Sequence, residues 1–145
     1  MKRALISAVV ALVALTTSAQ WLDVPAYHPA PPKKGEKLPP ILAGLDIGGS
    51  AFKHSFQVRA YELASKIPKV IYQQPCYCRC DRSVGHKSLR SCFESTHGAR
   101  CAACMKELFY SYEQHKAGKT AAQIRDGIVN GEWQKVDLEA AASLE

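Results

Sequence analysis

Beyond Ser50 the apolar positions fall into a helical rhythm. Phe52, Phe56, Ala60, Leu63 and Ile67 recur at spacings of four, four, three and four, which lays one apolar stripe along a helix. Ser50 stands where an N-cap belongs, and Pro68 either stops the helix or restarts it at a kink, because proline cannot donate inside a helix. Val70-Ile71-Tyr72 suits a helical turn or an extended stretch equally. A second helix is predicted from about Gly98 to Ala117, with Cys101, Met105, Leu108, Phe109 and Tyr112 on its buried face. Gly118 is placed to end it in a left-handed conformation. Thr120-Ala121-Ala122-Gln123 has a capping-box pattern and opens a third, shorter helix with Ile124 and Ile128 on one face, ended by Asn130-Gly131. From Pro75 to about Ser95 the periodicity lapses, leaving an irregular stretch with room for one helical turn at Leu89-Arg90-Ser91-Cys92-Phe93. The expected fold is all-α: a small domain of about three helices with an irregular cysteine-rich loop.

The two ends of the chain follow other patterns. Met1-Lys2-Arg3 is a short basic start, Ala4 to Leu15 is an apolar run, and Thr17-Ser18-Ala19 ends in a small residue. Residues 1–19 therefore read as a secretory signal peptide, too short to span a membrane. The chain left after cleavage starts near Gln20 and keeps about 126 residues, enough for one modest domain. Residues 20–40 hold six of the eight prolines and the cluster Lys33-Lys34-Gly35-Glu36-Lys37, which predicts an extended, largely solvated linker. Trp21, Leu22 and Tyr27 give that linker the means to dock back. Gly44, Gly48 and Gly49 mark the entry to the helical domain, expected over residues 41–136. The tail, residues 137–145, reads either as helical through Leu138-Glu139-Ala140-Ala141-Ala142 or as disordered, with no strong reason to pack.

Composition narrows the function classes. A hydrophobic content of 47% excludes a wholly disordered chain, and no second long apolar stretch follows the first, which excludes a multi-span membrane protein. Removing Lys2 and Arg3 takes the formal charge from +6 to +4, and no basic block in the remaining chain exceeds Lys33-Lys34, so nucleic acid is not an expected partner. No cysteine follows the apolar run closely enough to carry a lipid. A soluble exported protein without a membrane anchor, periplasmic or secreted, is the expectation.

All six cysteines, Cys76, Cys78, Cys80, Cys92, Cys101 and Cys104, fall within 29 residues. Export places them in an oxidising compartment, where they must be disulfide-bonded, metal-bound or kept for redox work. Cys76, Cys78 and Cys80 alternate. Such near neighbours rarely bond to each other, because the ring is too tight for relaxed disulfide geometry. A loop wrapped round an ion, with sulfurs roughly 2.3 Å from zinc, brings them together easily. Cys101 and Cys104 stand three apart at a helix start, with His97 four residues before Cys101 and Met105 four after it. Imidazole, two thiolates and a thioether suit Cu(I) or zinc, and a helix N-terminus lowers thiol pKa. Met105 stands where a haem-attachment motif would need histidine. Cys92 lies between the two groups, and His86, following Gly85, either ligates or bonds to backbone. His28, His54 and His115 lie outside the cluster and read as ordinary surface or core histidines.

Pro75-Cys76-Tyr77-Cys78-Arg79-Cys80, followed by Gly85-His86-Lys87-Ser88-Leu89, Cys92-Phe93, His97, Cys101 and Cys104, resembles the family of exported bacterial proteins named for a PCYCGC motif. The resemblance extends more weakly through the Phe52 to Pro68 stripe and the Gly118 to Ile128 segment. The family is largely uncharacterised. Its members often resemble lipoproteins and some carry selenocysteine in the motif, which implies redox chemistry or soft-metal binding. This chain departs from the pattern with Arg79 at the glycine or selenocysteine position and with no lipidation cysteine.

The leading expectation is an exported protein that binds copper or zinc, Cu(I) or Zn(II), for carriage, sequestration or sensing. Its expected ligands are Cys76, Cys78, Cys80, Cys101 and Cys104, with Cys92, His97 and Met105 completing the site. No carboxylate–imidazole constellation marks an open catalytic position, so an enzyme is the lesser expectation. One alternative is a thiol–disulfide exchanger in which Cys101 or Cys104 attacks and the triplet holds the resolving sulfur. Another is a disulfide-stapled interaction module.

Overall fold

The computed structural model describes residues 23–145; the expected signal peptide, with Trp21 and Leu22, lies outside them. Six α-helices follow in order: α1 (Ser55–Lys66), α2 (Pro68–Ile71), α3 (Cys80–Ser83), α4 (Ala102–Lys116), α5 (Ala121–Val129) and α6 (Leu138–Ala141). Three of them are long, and no strand forms among the described residues, so the all-α expectation holds. None of the described helices is long and apolar enough to cross a membrane.

Helix α1 carries the predicted stripe, with Phe56, Ala60, Leu63 and Ile67 buried. It starts later than expected. Gly49 takes φ +69° and turns Gly49–Ala51 into a 3₁₀ turn, so Ser50 does not cap. His54 caps instead, and Gln57 Oε1 reaches back to accept its N–H at 2.8 Å. Phe52 therefore precedes the helix and meets Tyr61 edge-on. Pro68 occupies the first position of α2, where its missing N–H costs nothing, so the chain restarts rather than stops.

Helix α4 is the centre of the molecule. Met105, Leu108, Phe109 and Tyr112 are buried as predicted, but so are Cys104, Glu107, Tyr110 and Ser111, because α1, α2, α5 and α6 surround it. Its first turn also differs. Gly98–Arg100 form a separate 3₁₀ turn, and Cys101, extended at φ −128°, is the N-cap. A Cβ on Gly98 would sit 2.9 Å from the Cys92 carbonyl oxygen, which shows how closely this turn approaches the cysteine loop. Gly118 ends the helical region at φ +82°, and Thr120 and Gln123 form the predicted capping box of α5. Ile124, Ile128 and Tyr110 make a second, smaller core with Tyr77 and Trp133 against it.

Both flanks are docked. Residues from Asp23 onward are extended, as their prolines predict, yet Pro25 is fully buried and His28 stacks on Tyr72 at 3.8 Å. Arg125 covers the Tyr27 ring at 4.6 Å, and Arg90 donates to the Pro39 carbonyl. The tail is helical at α6 and not loose. Ala141 is buried, Tyr112 Oη donates to the Glu145 carbonyl at 2.9 Å, and the Arg59 guanidinium donates to that of Leu144. Small alanines let this short helix approach α1 and α4 closely, a reason to pack that composition alone does not display.

Candidate metal centre

The triplet is shaped by a tight turn. The Arg79 N–H donates to the Cys76 carbonyl at 3.2 Å, and the chain reverses through Tyr77 and Cys78. This brings Cys76 Sγ and Cys78 Sγ to 3.4 Å. Arg79 completes the reversal in the left-handed region at φ 61°, ψ 27°, the one described non-glycine residue with positive φ. Its guanidinium is held outside by Asp23, at 2.6 and 3.2 Å, and lies 5.5 Å from the Tyr77 ring. Cys80 then opens α3. Its carbonyl accepts from both Val84 and His86, which folds the loop back and carries His86 toward the cysteines.

Three further segments complete the cluster. Cys104 comes from the first turn of α4 and places Sγ 3.4 Å from Cys76 and 3.6 Å from Cys78. Cys92, from the 3₁₀ turn Leu89–Phe93, lies 3.4 Å from Cys80 and 3.4 Å from His86 Nδ1. His97 Nε2 is 3.8 Å from Cys78 Sγ. Sulfurs bound roughly 2.3 Å from one tetrahedral ion stand roughly 3.8 Å apart, close to the spacings found here. All six cysteines are free thiols. Two sets of four residues could each hold a metal ion: Cys76, Cys78, Cys92 and Cys104, and Cys78, Cys80, Cys92 and His97. Cys76, Cys80, Cys92 and Cys104 are buried and form the floor, while Cys78, Cys101, His86 and His97 are partly exposed and form the rim.

Asp23, Pro25 and Ala26 make a strap across one side. The Ala26 N–H donates to Asp81 Oδ2 at 3.1 Å, and Asp23 also pairs with Arg82. Pro25 and Ala26 close over Cys76 and Cys80 with Asp81, His86 and Ser88, leaving no water-sized space. His86 also lines a surface cleft with Tyr72, Glu36 and Lys87, so one imidazole faces both the cluster and solvent.

The thiols are not electrostatically alike. Cys78 is held well below the usual thiol range by the thiols of Cys101, Cys104 and Cys76 around it. Cys76 is pushed up, first by Cys104 and then by Cys78, with burial adding. Cys104 is also raised, chiefly by Cys101, so the lowering expected at the helix start appears on the loop cysteine instead. Beneath them lies Glu107, fully buried, with Oε1 accepting the Tyr77 N–H at 2.7 Å and Oε2 without a partner. Burial pushes its carboxyl up to about 8, against the pull of Cys76 and the Tyr77 N–H.

A family model described as a protein of unknown function with PCYCGC motif matches residues 51–135. The chain belongs to that family. No curated protein and no solved structure matches it. The turn gives the PCYCGC motif a physical meaning: its fifth position is the left-handed one, which glycine adopts without strain and which Arg79 occupies here.

Of the eight residues singled out from the sequence, the structure brings Cys76, Cys78, Cys80, Cys92, Cys104 and His97 into one cluster. Cys101 stands beside it as the N-cap of α4, half-exposed and outside both ligand sets. Met105 is buried in the hydrophobic core next to Cys104. The single helical face expected for His97, Cys101, Cys104 and Met105 does not form, because the 3₁₀ turn separates His97 from α4 and tertiary folding alone returns it to Cys78. Glu107 was not anticipated. Its signal was available, since it lies three residues after Cys104 and therefore shares its face. The strap's seat over the cluster had no signal in the sequence beyond Tyr27.

Proposed function

We propose that this protein is an exported soft-metal-binding protein that takes Cu(I) or Zn(II) into the cysteine cluster for carriage, sequestration or sensing. The observation that carries the proposal is the meeting of Cys76, Cys78, Cys80, Cys92, Cys104 and His97 at distances near the edge of a metal tetrahedron. Thiolate and imidazole together favour Cu(I) and zinc over oxygen-seeking cations. The floor supplies sulfurs shielded from water, and the rim supplies an entry through Cys78, His97 and His86. Binding displaces the thiol protons to solvent, so affinity rises with pH. The test is elemental analysis of the protein purified from its native compartment, with thiols counted by alkylation and mass spectrometry before and after chelation. Bound copper or zinc, with thiols that react only after chelation, supports the proposal; three stable disulfides and no metal refute it.

Thiol–disulfide exchange is the second reading, favoured by Cys78, a half-exposed thiol of lowered pKa with Cys76 in contact. The Cys78 thiolate would attack a partner disulfide, and the Cys104 thiol, 3.6 Å from Cys78, would then displace the partner's second sulfur. That leaves one disulfide here and a reduced dithiol on the partner. The same thiol count separates the two: a pair that cycles at mild potential without bound metal favours exchange.

A further inference from the structure

The two ligand sets overlap, and their overlap has a stoichiometric consequence. Cys78 and Cys92 belong to both; Cys76 and Cys104 complete one set, Cys80 and His97 the other. A single tetrahedral ion accepts four ligands. Seated in the first set, it would leave the buried Cys80 thiol against Cys92 and the His97 imidazole against Cys78 with nothing to bind. Two tetrahedral ions need eight bonds. The six residues supply eight if Cys78 and Cys92 each bridge both ions and the other four each bind one.

We propose that the cluster is a paired-metal centre in which the thiolates of Cys78 and Cys92 bridge two soft ions. It rests on the metal-binding proposal above and adds the number of ions and their connection. The ions share an edge of two tetrahedra, and bonds of roughly 2.3 Å put them roughly 3 Å apart. Charge favours the pair. With zinc, five thiolates face four positive charges and leave one negative charge, whereas one zinc with four thiolates leaves two in the same buried place, where uncompensated charge is costly. Loading releases to solvent the proton of each site thiol that still carries one, and no electron changes hands. The bridging roles fall on one rim residue and one floor residue, so the shared edge runs from the surface inward. His86 lies outside both sets yet touches Cys92, which suits it to passing an ion to that bridge.

The reduced chain, without its leader, is loaded anaerobically with zinc alone and, separately, with Cu(I) alone. Ions per chain are counted by native mass spectrometry, and X-ray absorption reads the metal–metal distance. Two ions per chain with a metal neighbour at roughly 3 Å is the expected result. His97→Ala, on the half-exposed rim, should lower the count from two to one while helical circular dichroism stays unchanged; Cys80→Ser should do the same from the floor. One ion in the unmodified chain, or two without a close metal neighbour, overturns the paired centre and leaves metal binding standing. No ion at all overturns both.

Discussion

Arg79 shows how much one backbone conformation decides here. The turn that faces Cys76 and Cys78 toward Cys104 needs a left-handed residue after Cys78, and an L-residue with a Cβ adopts that region at a cost of roughly 1–2 kcal/mol. Arg79→Gly should therefore raise the stability of the reduced, metal-free protein by about 1 kcal/mol, read as a higher urea midpoint. The lost ion pair to Asp23 is an exposed one and should matter little, since Arg82 also holds that carboxylate. A lower midpoint would show that the pair outweighs the strain. Glu107 is the second decisive residue. Its folded-state pKa, about 8, lies above the ordinary 4.5, so the folded protein holds the proton more tightly and this contribution is complete below about pH 4.5. It is lost as pH rises toward 8, with a limiting slope of about 1.4 kcal/mol per pH unit. Glu107→Gln keeps the shape without the titration. The difference in stability between the two metal-free proteins should thus shift across that window, and a difference independent of pH would contradict the assignment.

Among the elements, the extended stretch from Asp23 to His28 behaves as part of the domain. Pro25 is buried over Cys76 and Cys80, and the contacts at Asp23, Ala26, Tyr27 and His28 each tie it to a different part of the molecule. The double variant Asp23→Ala, Pro25→Gly should leave the three long helices intact and speed metal removal by a chelator several-fold, measured by stopped-flow absorbance. Unchanged exchange would mean that ions leave only by the His86 and His97 rim. Helix α4 sets the other side of the site. Its surroundings bury nearly every side chain from Cys104 to Tyr112, which explains why an amphipathic stripe described it incompletely. Helix α5, held by a capping box and two isoleucines, needed no such correction because its one buried face matches its local pattern.

For the whole molecule, a cluster fed by the turn after Pro75, by α3, by the Leu89–Phe93 turn and by α4 would couple a bound metal to the fold. An ion that binds the folded chain better than the unfolded one stabilises it by mass action, about 2.7 kcal/mol at a free concentration one hundred times Kd. The thermal midpoint should fall when a chelator is added to the loaded protein, and equal midpoints would argue against a site that spans these segments. The stripes at Phe56 to Ile67 and Ile124 to Ile128, the left-handed Gly118 and the Thr120 capping box were legible because each depends on neighbours within a turn or two. The motif from Pro75 to Cys80 likewise announced a thiol cluster through spacing alone. Which thiols meet was not legible. Cys92 and Cys80 are twelve residues apart and Cys76 and Cys104 twenty-eight, and their contact depends on a chain reversal at Arg79 and on the seat of α4 in the core. The sequence by itself determined the three long helices and the kind of side-chain atoms the cluster offers, since propensity, capping and side-chain chemistry are local. Only the tertiary structure decided that Cys78 and Cys92 lie common to two ligand sets, that Glu107 sits beneath them and that Pro25 covers them, because those placements arise from long-range packing.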